Sequence, residues 1–290
     1  MIRSLYSAVS GLQNFQQKID VIGNNIANVN TNGYKGSRVE FQDSFSQTLQ
    51  GSTAGSGVVS GVSSMQVGTG VATSQIRVLD TQGAITRTGV NTDLAIAGDG
   101  YFVVKDPQTG AEFATRDGSF RVDQNGYLVS SNGYRLQGLT ATPGAAYPAT
   151  TLAATVGDLQ IKPLGVLPPP VAVRSWNIGT DGTVSLAMSD GASQTIGQVK
   201  LEKFTNPSGL TREGNNLFGN MPNAGRTGGT YNVPGDPGIG TVQANALELS
   251  NVDLANEFST LISTQRAFQA TAKMITTSDE ILQELVQLKR

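Results

Sequence analysis

The 290-residue chain contains no cysteine and no histidine. Without cysteine it has no disulfide, no thiolate metal site and no thiol redox chemistry, so packing and hydrogen bonds must hold the fold together. Without histidine it has no Ser-His-Asp or Cys-His catalytic group, no histidine-bound metal or haem, and no side chain that ordinarily titrates near neutral pH. These two absences exclude most familiar enzyme classes, and we expect no cofactor.

Charge and long apolar runs are also scarce. Charged residues make up 14% of the chain, with 20 basic and 22 acidic side chains, where soluble domains average about 25%. Clustered basic residues for nucleic acid are therefore not expected. Apolar runs are only a few residues long, far below the roughly 18 of a membrane span, and the first residues lack the apolar core of a cleaved secretory signal. We predict no nucleic-acid partner, no membrane insertion, and either a cytosolic location or export without a cleaved leader.

Apolar residues recur every three or four positions at both ends of the chain. At the N-terminal end this spacing predicts an amphipathic helix, which Gly11 and Gly23 weaken by about 1 kcal/mol each relative to alanine. At the C-terminal end, heptad spacing predicts a longer helix with Ser250 or Asn251 as its cap. Stripes this long are typical of a buried helical interface, either within one chain or between copies. The candidate interface residues are Leu5, Val9, Leu12, Ile19, Ile22, Ile26, Leu254, Phe258, Leu261, Phe268, Ile275 and Leu282.

Between the helices the apolar period falls to two, and Asn-Gly and Asp-Gly dipeptides recur. These dipeptides supply the positive φ angles of tight hairpin turns, so we predict a β-rich region of short strands. Two segments do not fit that pattern. Residues 51–64 are almost all Gly, Ser, Thr, Ala and Val, which is typical of a flexible or extended connection. Residues 139–173 are rich in proline, which should interrupt β pairing.

The predicted fold class is therefore α+β, with helices at both ends of the chain that pair either with each other or with the helices of neighbouring copies, and a mainly β domain between them. The predicted boundaries are an N-terminal helix at 1–35, an extended linker at 36–75, a β-rich domain at 76–245 with a Pro-rich extension at 139–173, and a C-terminal helix at 246–290.

Three catalytic or ligand-binding alternatives are weaker. The glycine pair at 68–70 lacks the third glycine of a dinucleotide loop, and residues 123–126 open like a calcium loop but have Tyr134 where the loop requires glutamate. A glycosidase needs only two suitably spaced carboxylates, yet the acidic residues of the β region mostly occupy turn positions. We predict no metal site and no enzymatic activity.

Several longer motifs resemble those of bacterial flagellar rod and hook proteins. Residues 4–12 (SLYSAVSGL) and 20–35 (DVIGNNIANVNTNGYK) are similar to the N-terminal signature of that family. Residues 98–104 (GDGYFVV), 115–120 (TRDGSF) and 250–268 are similar to its middle and C-terminal motifs, in the same order. The chain is accordingly identified as a member of this family.

The resemblance implies a structural subunit of the flagellar axis. In such a subunit the terminal helices pair as an inner coiled coil that lines a tube, and the β domain forms the outer wall. The implied partners are further copies in a helical tube, other rod, hook and hook-filament junction proteins, the type III export apparatus and, during assembly, the hook or rod cap. The implied location is the flagellar hook or the basal-body rod, reached without a cleaved signal peptide.

Two members of the family fit the chain. Residues 115–120 resemble distal-rod subunits, whereas residues 132–138, residues 157–161 and the proline-rich run resemble hook subunits more. The chain is short for a hook protein with a large additional outer domain. We predict a compact hook subunit that transmits motor torque to the filament, with a distal-rod subunit of the basal-body drive shaft as the alternative.

Overall fold

A computed structural model describes residues 2–52, 60–141, 152–161, 172–226 and 232–288 of the chain. Two long helices and a mostly β body give the α+β class that the sequence predicts. The chain forms two compact units, one composed of Met1–Ala27, Gly36–Leu79 and Val252–Arg290, and the other of Asn28–Lys35 and Asp80–Asn251.

Within its described residues, the first unit contains both helices and four strands. Strand β1 pairs with β4 and β2 pairs with β3, both antiparallel, with a bulge in β1 between Glu40 and Phe41. The predicted extended linker at 36–75 thus contains strands, although residues 53–59 of its Gly- and Ser-rich part lie outside the described residues. The elements are α1 Ile2–Ala27, β1 Ser37–Asp43, β2 Ser46–Gln50, β3 Met65–Gly68, β4 Val71–Val78 and α2 Leu254–Leu288.

Two buried asparagines join α1 to the β1–β4 pair. Asn14 donates a hydrogen bond of 2.8 Å to the carbonyl oxygen of Val71. Asn25 donates to the carbonyl oxygen of Ser37 at 2.8 Å and accepts from the Ser37 amide at 2.9 Å. Because a buried amide side chain left without partners is costly, these bonds fix the position of α1 along the two strands.

The N-terminal cap of α2 is Asp253 rather than the predicted Ser250 or Asn251. The Asp253 carboxylate accepts a hydrogen bond of 3.0 Å from the Ala255 amide, which is an otherwise unpaired donor of the first helical turn. Asn251 instead donates its side-chain amide to Thr81. An aspartate cap also places a negative charge at the positive end of the helix dipole.

The second unit is built from the remaining strands. Twelve of them join in one sheet, with the order β13-β14-β15-β11-β7-β8-β18-β17 and with β9, β10, β12 and β16 attached beside this path; β6 pairs with β19 and β5 with β20. The strands are β5 Ile85–Arg87, β6 Leu94–Ala97, β7 Tyr101–Lys105, β8 Glu112–Thr115, β9 Arg121–Val122, β10 Leu128–Val129, β11 Arg135–Ala141, β12 Leu152–Asp158, β13 Val173–Ile178, β14 Thr183–Met188, β15 Ser193–Val199, β16 Leu201–Glu202, β17 Thr211–Gly214, β18 Leu217–Gly219, β19 Thr241–Ala244 and β20 Ala246–Glu248.

The apolar core of the second unit lies on this sheet. Phe102 and Phe120 meet edge to face, with 5.4 Å between their ring centroids, and Trp176 packs at the border of the same cluster. Burial of these rings supplies much of the stability of a domain whose turns are polar. The largest fully buried apolar residues of the cluster are Leu94, Ile96, Phe102, Phe120, Leu128, Leu136, Leu186 and Leu201.

The predicted Asn-Gly and Asp-Gly turns have glycine at positive φ, with one exception. The exception is Gly118, where a Cβ atom would lie 1.6 Å from the carbonyl oxygen of Leu94. Glycine is required there because two backbone segments approach closely, and the turn geometry does not demand it.

The predicted Pro-rich extension at 139–173 falls largely on residues 142–151 and 162–171, which lie outside the described residues. Its described part includes β12, which pairs antiparallel with β11, so β pairing continues there. Among the described residues, no helix combines the length and the apolar character that crossing a membrane requires.

Candidate assembly interface

The six candidate residues of α1 differ in burial. Ile22 is buried, and Val9 is exposed. The other four are half-buried, which leaves part of each side chain accessible in a single chain; they are Leu5, Leu12, Ile19 and Ile26.

The six candidate residues of α2 are covered even less. Leu254 and Phe258 are exposed, whereas the heptad positions Leu261, Phe268, Ile275 and Leu282 are half-buried. The whole of this 35-residue helix has a single buried residue, Thr264. Since a long helix in water derives most of its stability from packing one face, a single chain leaves α2 incompletely packed.

Further exposed apolar residues lie outside the predicted stripe. Their side chains are about half exposed or more although they are large and apolar, which marks an interaction surface when such residues are contiguous. Periodicity alone did not select them because they lie off the heptad positions. They are Tyr6, Ile262, Met274, Ile281, Leu285 and Leu288, whereas Val286, which is exposed as well, continues the heptad series.

The two helices run antiparallel. Asn25 near the end of α1 donates a hydrogen bond of 3.3 Å to Glu257 near the start of α2. A Cβ atom on Gly11 would lie 3.8 Å from Thr271. Continued along the helices, this register places the first residue of α1, Ile2, level with residue 280, so the last turns of α2 extend past it.

A second cluster, in the other unit, connects motifs that are distant in sequence. Lys35 donates to Glu248 at 2.6 Å, and Arg116 contacts the other carboxylate oxygen of Glu248 at 3.1 Å. All three side chains are almost completely buried. Burial lowers the pKa of Lys35, and the neighbouring Arg116 cation lowers it further, against the opposing effect of Glu248.

The backbone segments that carry this cluster are also in close contact with one another. The Gly33 amide donates to the carbonyl oxygen of Glu248 at 2.8 Å, and the Arg212 guanidinium lies 5.0 Å from the centre of the Tyr34 ring. A Cβ atom on Gly33 would lie 2.6 Å from the carbonyl carbon of Arg116. The C-terminal end of the motif at residues 20–35 is therefore buried, and part of the motif at residues 115–120 packs against it.

Three family descriptions match the chain. Residues 5–35 match "Flagella basal body rod protein". Residues 95–186 match "Flagellar hook protein FlgE/F/G D1 domain". Residues 243–288 match "Flagellar basal body rod FlgEFG protein C-terminal".

Full-length relatives agree with these matches. The chain is 43% identical over 290 residues to the flagellar basal-body rod protein FlgG of Bacillus subtilis, with all of both chains covered. Two relatives from Borreliella burgdorferi also cover all of both chains. Its basal-body rod protein FlgG is 34% identical over 294 aligned residues, and its flagellar hook protein FlgE is 29% identical over 445.

The chain belongs to the flagellar rod and hook protein family. Proteins of this family are structural components of the flagellar axis, and the sequence prediction of family and flagellar location is confirmed at that level. Helix α2 and all but the first three residues of α1 lie within the matched terminal segments, and the buried Lys35 and Glu248 lie within the same two segments.

The comparisons favour the distal-rod alternative over the hook subunit. The Bacillus subtilis rod protein aligns without a large length difference, whereas the alignment with the Borreliella hook protein extends over 445 positions. Within Borreliella burgdorferi, the rod protein is also the more similar of the two.

Proposed function

We propose that the chain is a self-assembling subunit of the distal rod of the flagellar basal body. The observation that carries this proposal is the end-to-end similarity to basal-body rod proteins, including 43% identity over all 290 residues of the Bacillus subtilis protein. A hook subunit remains the competing function, since the Borreliella hook protein is also similar over its full length.

The terminal helices are the proposed assembly element. In a tube, α1 and α2 of each copy form an inner antiparallel coiled coil, and neighbouring copies cover the apolar surface that a single chain leaves accessible. The support is the half-exposed stripe of α2 and its single buried residue, Thr264. The twelve candidate interface residues are the contacts of this inner domain, and the β-rich unit forms the outer wall.

The proposed partners are other copies of the chain and the axial proteins adjacent to the distal rod. The chain reaches the structure through the type III export apparatus, and a rod cap guides its addition. The low charge of the chain suits this role, because each copy is surrounded by identical copies whose like charges would repel one another.

The location of the chain in isolated hook-basal bodies tests the proposal. Antibodies against the purified chain, followed by gold labelling and electron microscopy, should label the straight rod segment and leave the curved hook unlabelled. Antibodies against the hook protein of the same strain provide the control. Label confined to the hook would establish the hook subunit instead, and label in neither structure would contradict the axial assignment.

A further inference from the structure

The chain segments that adjoin the two helices meet at one buried carboxylate. The segment 28–35 follows α1, and its last residue, Lys35, donates a hydrogen bond of 2.6 Å to Glu248. The segment 248–253 precedes α2 and begins with Glu248 itself. The Gly33 amide donates to the backbone carbonyl oxygen of the same glutamate at 2.8 Å. We call the contacts of Gly33 and Lys35 with Glu248 the tie.

A third segment, residues 80–84, is bonded to both sides of the tie. Lys35 donates a second hydrogen bond of 2.9 Å to the carbonyl oxygen of Thr81. The Gly83 amide donates to the carboxylate of the tie at 2.9 Å. The side-chain amide of Asn251 donates to the hydroxyl of Thr81, also at 2.9 Å. These bonds connect the segment after α1 to the segment before α2 by a second route.

The tie is also anchored in the β-rich unit. Lys35, Arg116 and Glu248 are only 1–3% exposed. Arg116 contacts the second carboxylate oxygen at 3.1 Å and donates to the carbonyl oxygen of Gly98 at 3.0 Å. Because separating buried opposite charges leaves each without compensation, the two segments are held firmly at this point of the unit.

The tie shortens the connection between the helices. The end of α1 at Ala27 and the start of α2 at Leu254 are more than 200 residues apart along the chain. Lys35 lies eight residues after α1 and Glu248 lies six residues before α2, so the path through the tie is about 14 residues. Since the probability that chain ends meet falls as about the −3/2 power of loop length, this favours helix pairing by about 60-fold. That factor is an upper limit, because other contacts of the folded unit also hold the two segments.

We propose that Glu248 is a positioning residue for assembly. By holding both segments at one point of the β-rich unit, it brings the end of α1 and the start of α2 close enough to pair before a second copy binds. The helix pair therefore forms efficiently only in a chain whose β-rich unit has folded. The inference rests on the proposed self-assembly, for which it names the residue that prepares the helices.

A disulfide reporter measures helix pairing in the single chain. The chain has no cysteine, and a Cβ atom on Gly11 would lie 3.8 Å from the Thr271 side chain. Gly11→Cys with Thr271→Cys therefore places two thiols across the helix pair within reach of a disulfide. In dilute, unpolymerised protein, Glu248→Gln should slow formation of this disulfide at least about fivefold, because the helices meet less often. In the chain without the reporter, the same substitution should raise the critical concentration for polymerisation by a similar factor.

Two controls separate positioning from general loss of stability. Leu186→Ala removes a buried side chain from the core of the β-rich unit, far from the tie in sequence, and destabilises the unit by opening a cavity. Glu112→Gln makes the same chemical change as Glu248→Gln at a partly exposed ion pair. Both should form the disulfide at nearly the wild-type rate. Trp176 fluorescence in sulfate-containing buffer, which favours the folded state, should show that each variant is folded.

Asn251→Asp provides a second variant if Glu248→Gln does not fold. It keeps the size of the side chain but removes the donor to Thr81, and it should slow the disulfide about twofold or more. If both variants react at the wild-type rate, or if Leu186→Ala slows the reaction equally, Glu248 does not position the helices, although self-assembly stands. If the wild type forms the disulfide but never polymerises, the proposed function fails while the effect of the tie on helix pairing stands.

Discussion

Glu248 is the residue on which the buried charge cluster depends. Its two carboxylate oxygens accept hydrogen bonds from Lys35, Arg116 and the Gly83 amide. Removing one member of a buried ion pair leaves an uncompensated charge in a low-dielectric environment, and that is more costly than losing the attraction alone. Here two cations would be left behind.

We therefore expect Glu248→Gln to lower the free energy of unfolding of the β-rich unit by about 3–5 kcal/mol. Urea unfolding followed by the fluorescence of Trp176, the only tryptophan in the chain, measures this. Glu112→Gln is the matched control, because Glu112 pairs with Arg226 at a partly exposed site, where about 1 kcal/mol or less is expected. Equal effects of the two substitutions would show that the cluster has no special importance.

Asp158 makes the stability of the same unit depend on pH. It accepts hydrogen bonds of 2.7 Å each from Arg135 and Gln137. Burial tends to raise the pKa of Asp158, but these hydrogen bonds and the Arg135 charge outweigh it and lower the pKa below its usual value. The stabilisation is therefore present above the unfolded-state pKa of about 3.9 and is lost as pH falls through the lower folded-state pKa.

The expected result is that Asp158→Asn is less stable than the wild type at neutral pH and that this difference shrinks below about pH 4. Urea midpoints measured from pH 7 to pH 2 in both proteins provide the comparison. Asp123→Asn, at an exposed turn, should follow the wild-type profile. A difference between Asp158→Asn and wild type that is independent of pH would rule out the ionised carboxylate as its source.

At the level of elements, α2 is a helix whose partners are incomplete within one chain. Its heptad residues are half-buried although they are the most regular apolar series in the sequence. The remaining surface is accessible in one chain, and in the proposed assembly neighbouring copies cover it as in a multi-stranded helical core.

Leu261→Asp should abolish polymerisation while the β-rich unit stays folded, because an unpaired charge in a packed helical seam costs several kcal/mol. Sedimentation of polymer measures the first effect and Trp176 fluorescence the second. Gln269→Asp adds the same charge at an exposed position of α2 and should reduce polymerisation less. Normal assembly of the Leu261→Asp variant would show that the apolar stripe of α2 is not part of the assembly interface.

At the level of the whole molecule, the competing functions differ in the mechanics of the polymer. A hook must bend, so its outer contacts must vary between copies, whereas a rod must be stiff. The sequence prediction of a hook implied a curved, flexible polymer with variable outer contacts. The proposed rod function, which the greater similarity to rod proteins supports, predicts instead that all copies have the same surroundings.

We predict a straight polymer in which every copy makes identical outer contacts. Electron microscopy of the native structure at subunit resolution tests this, and the hook of the same organism is the comparison. A curved polymer whose outer contacts differ around the circumference would show that the chain is a hook subunit instead.

The two helices and the strand-rich middle could be predicted from the sequence. Helical and strand periods are local properties, visible in the apolar spacing of α2 and in the dipeptide turns between strands. The segments that resemble the flagellar family were also recognisable without coordinates, because each is a continuous run. The heptad stripe predicted which face of α2 is apolar, but it did not reveal how little of that face one chain covers.

Long-range pairing required the tertiary structure. Lys35 and Glu248 are 213 positions apart, and nothing in their local sequence indicates that they share a buried site. Local sequence likewise does not indicate that β1 pairs with β4, or that two asparagines of α1 form hydrogen bonds with these strands. The sequence by itself determined the periodic elements and the family, because both are recognised from short, continuous segments of the chain. The tertiary structure decided which charges are buried together and which apolar surfaces remain exposed, because both depend on contacts between residues that are far apart in the sequence.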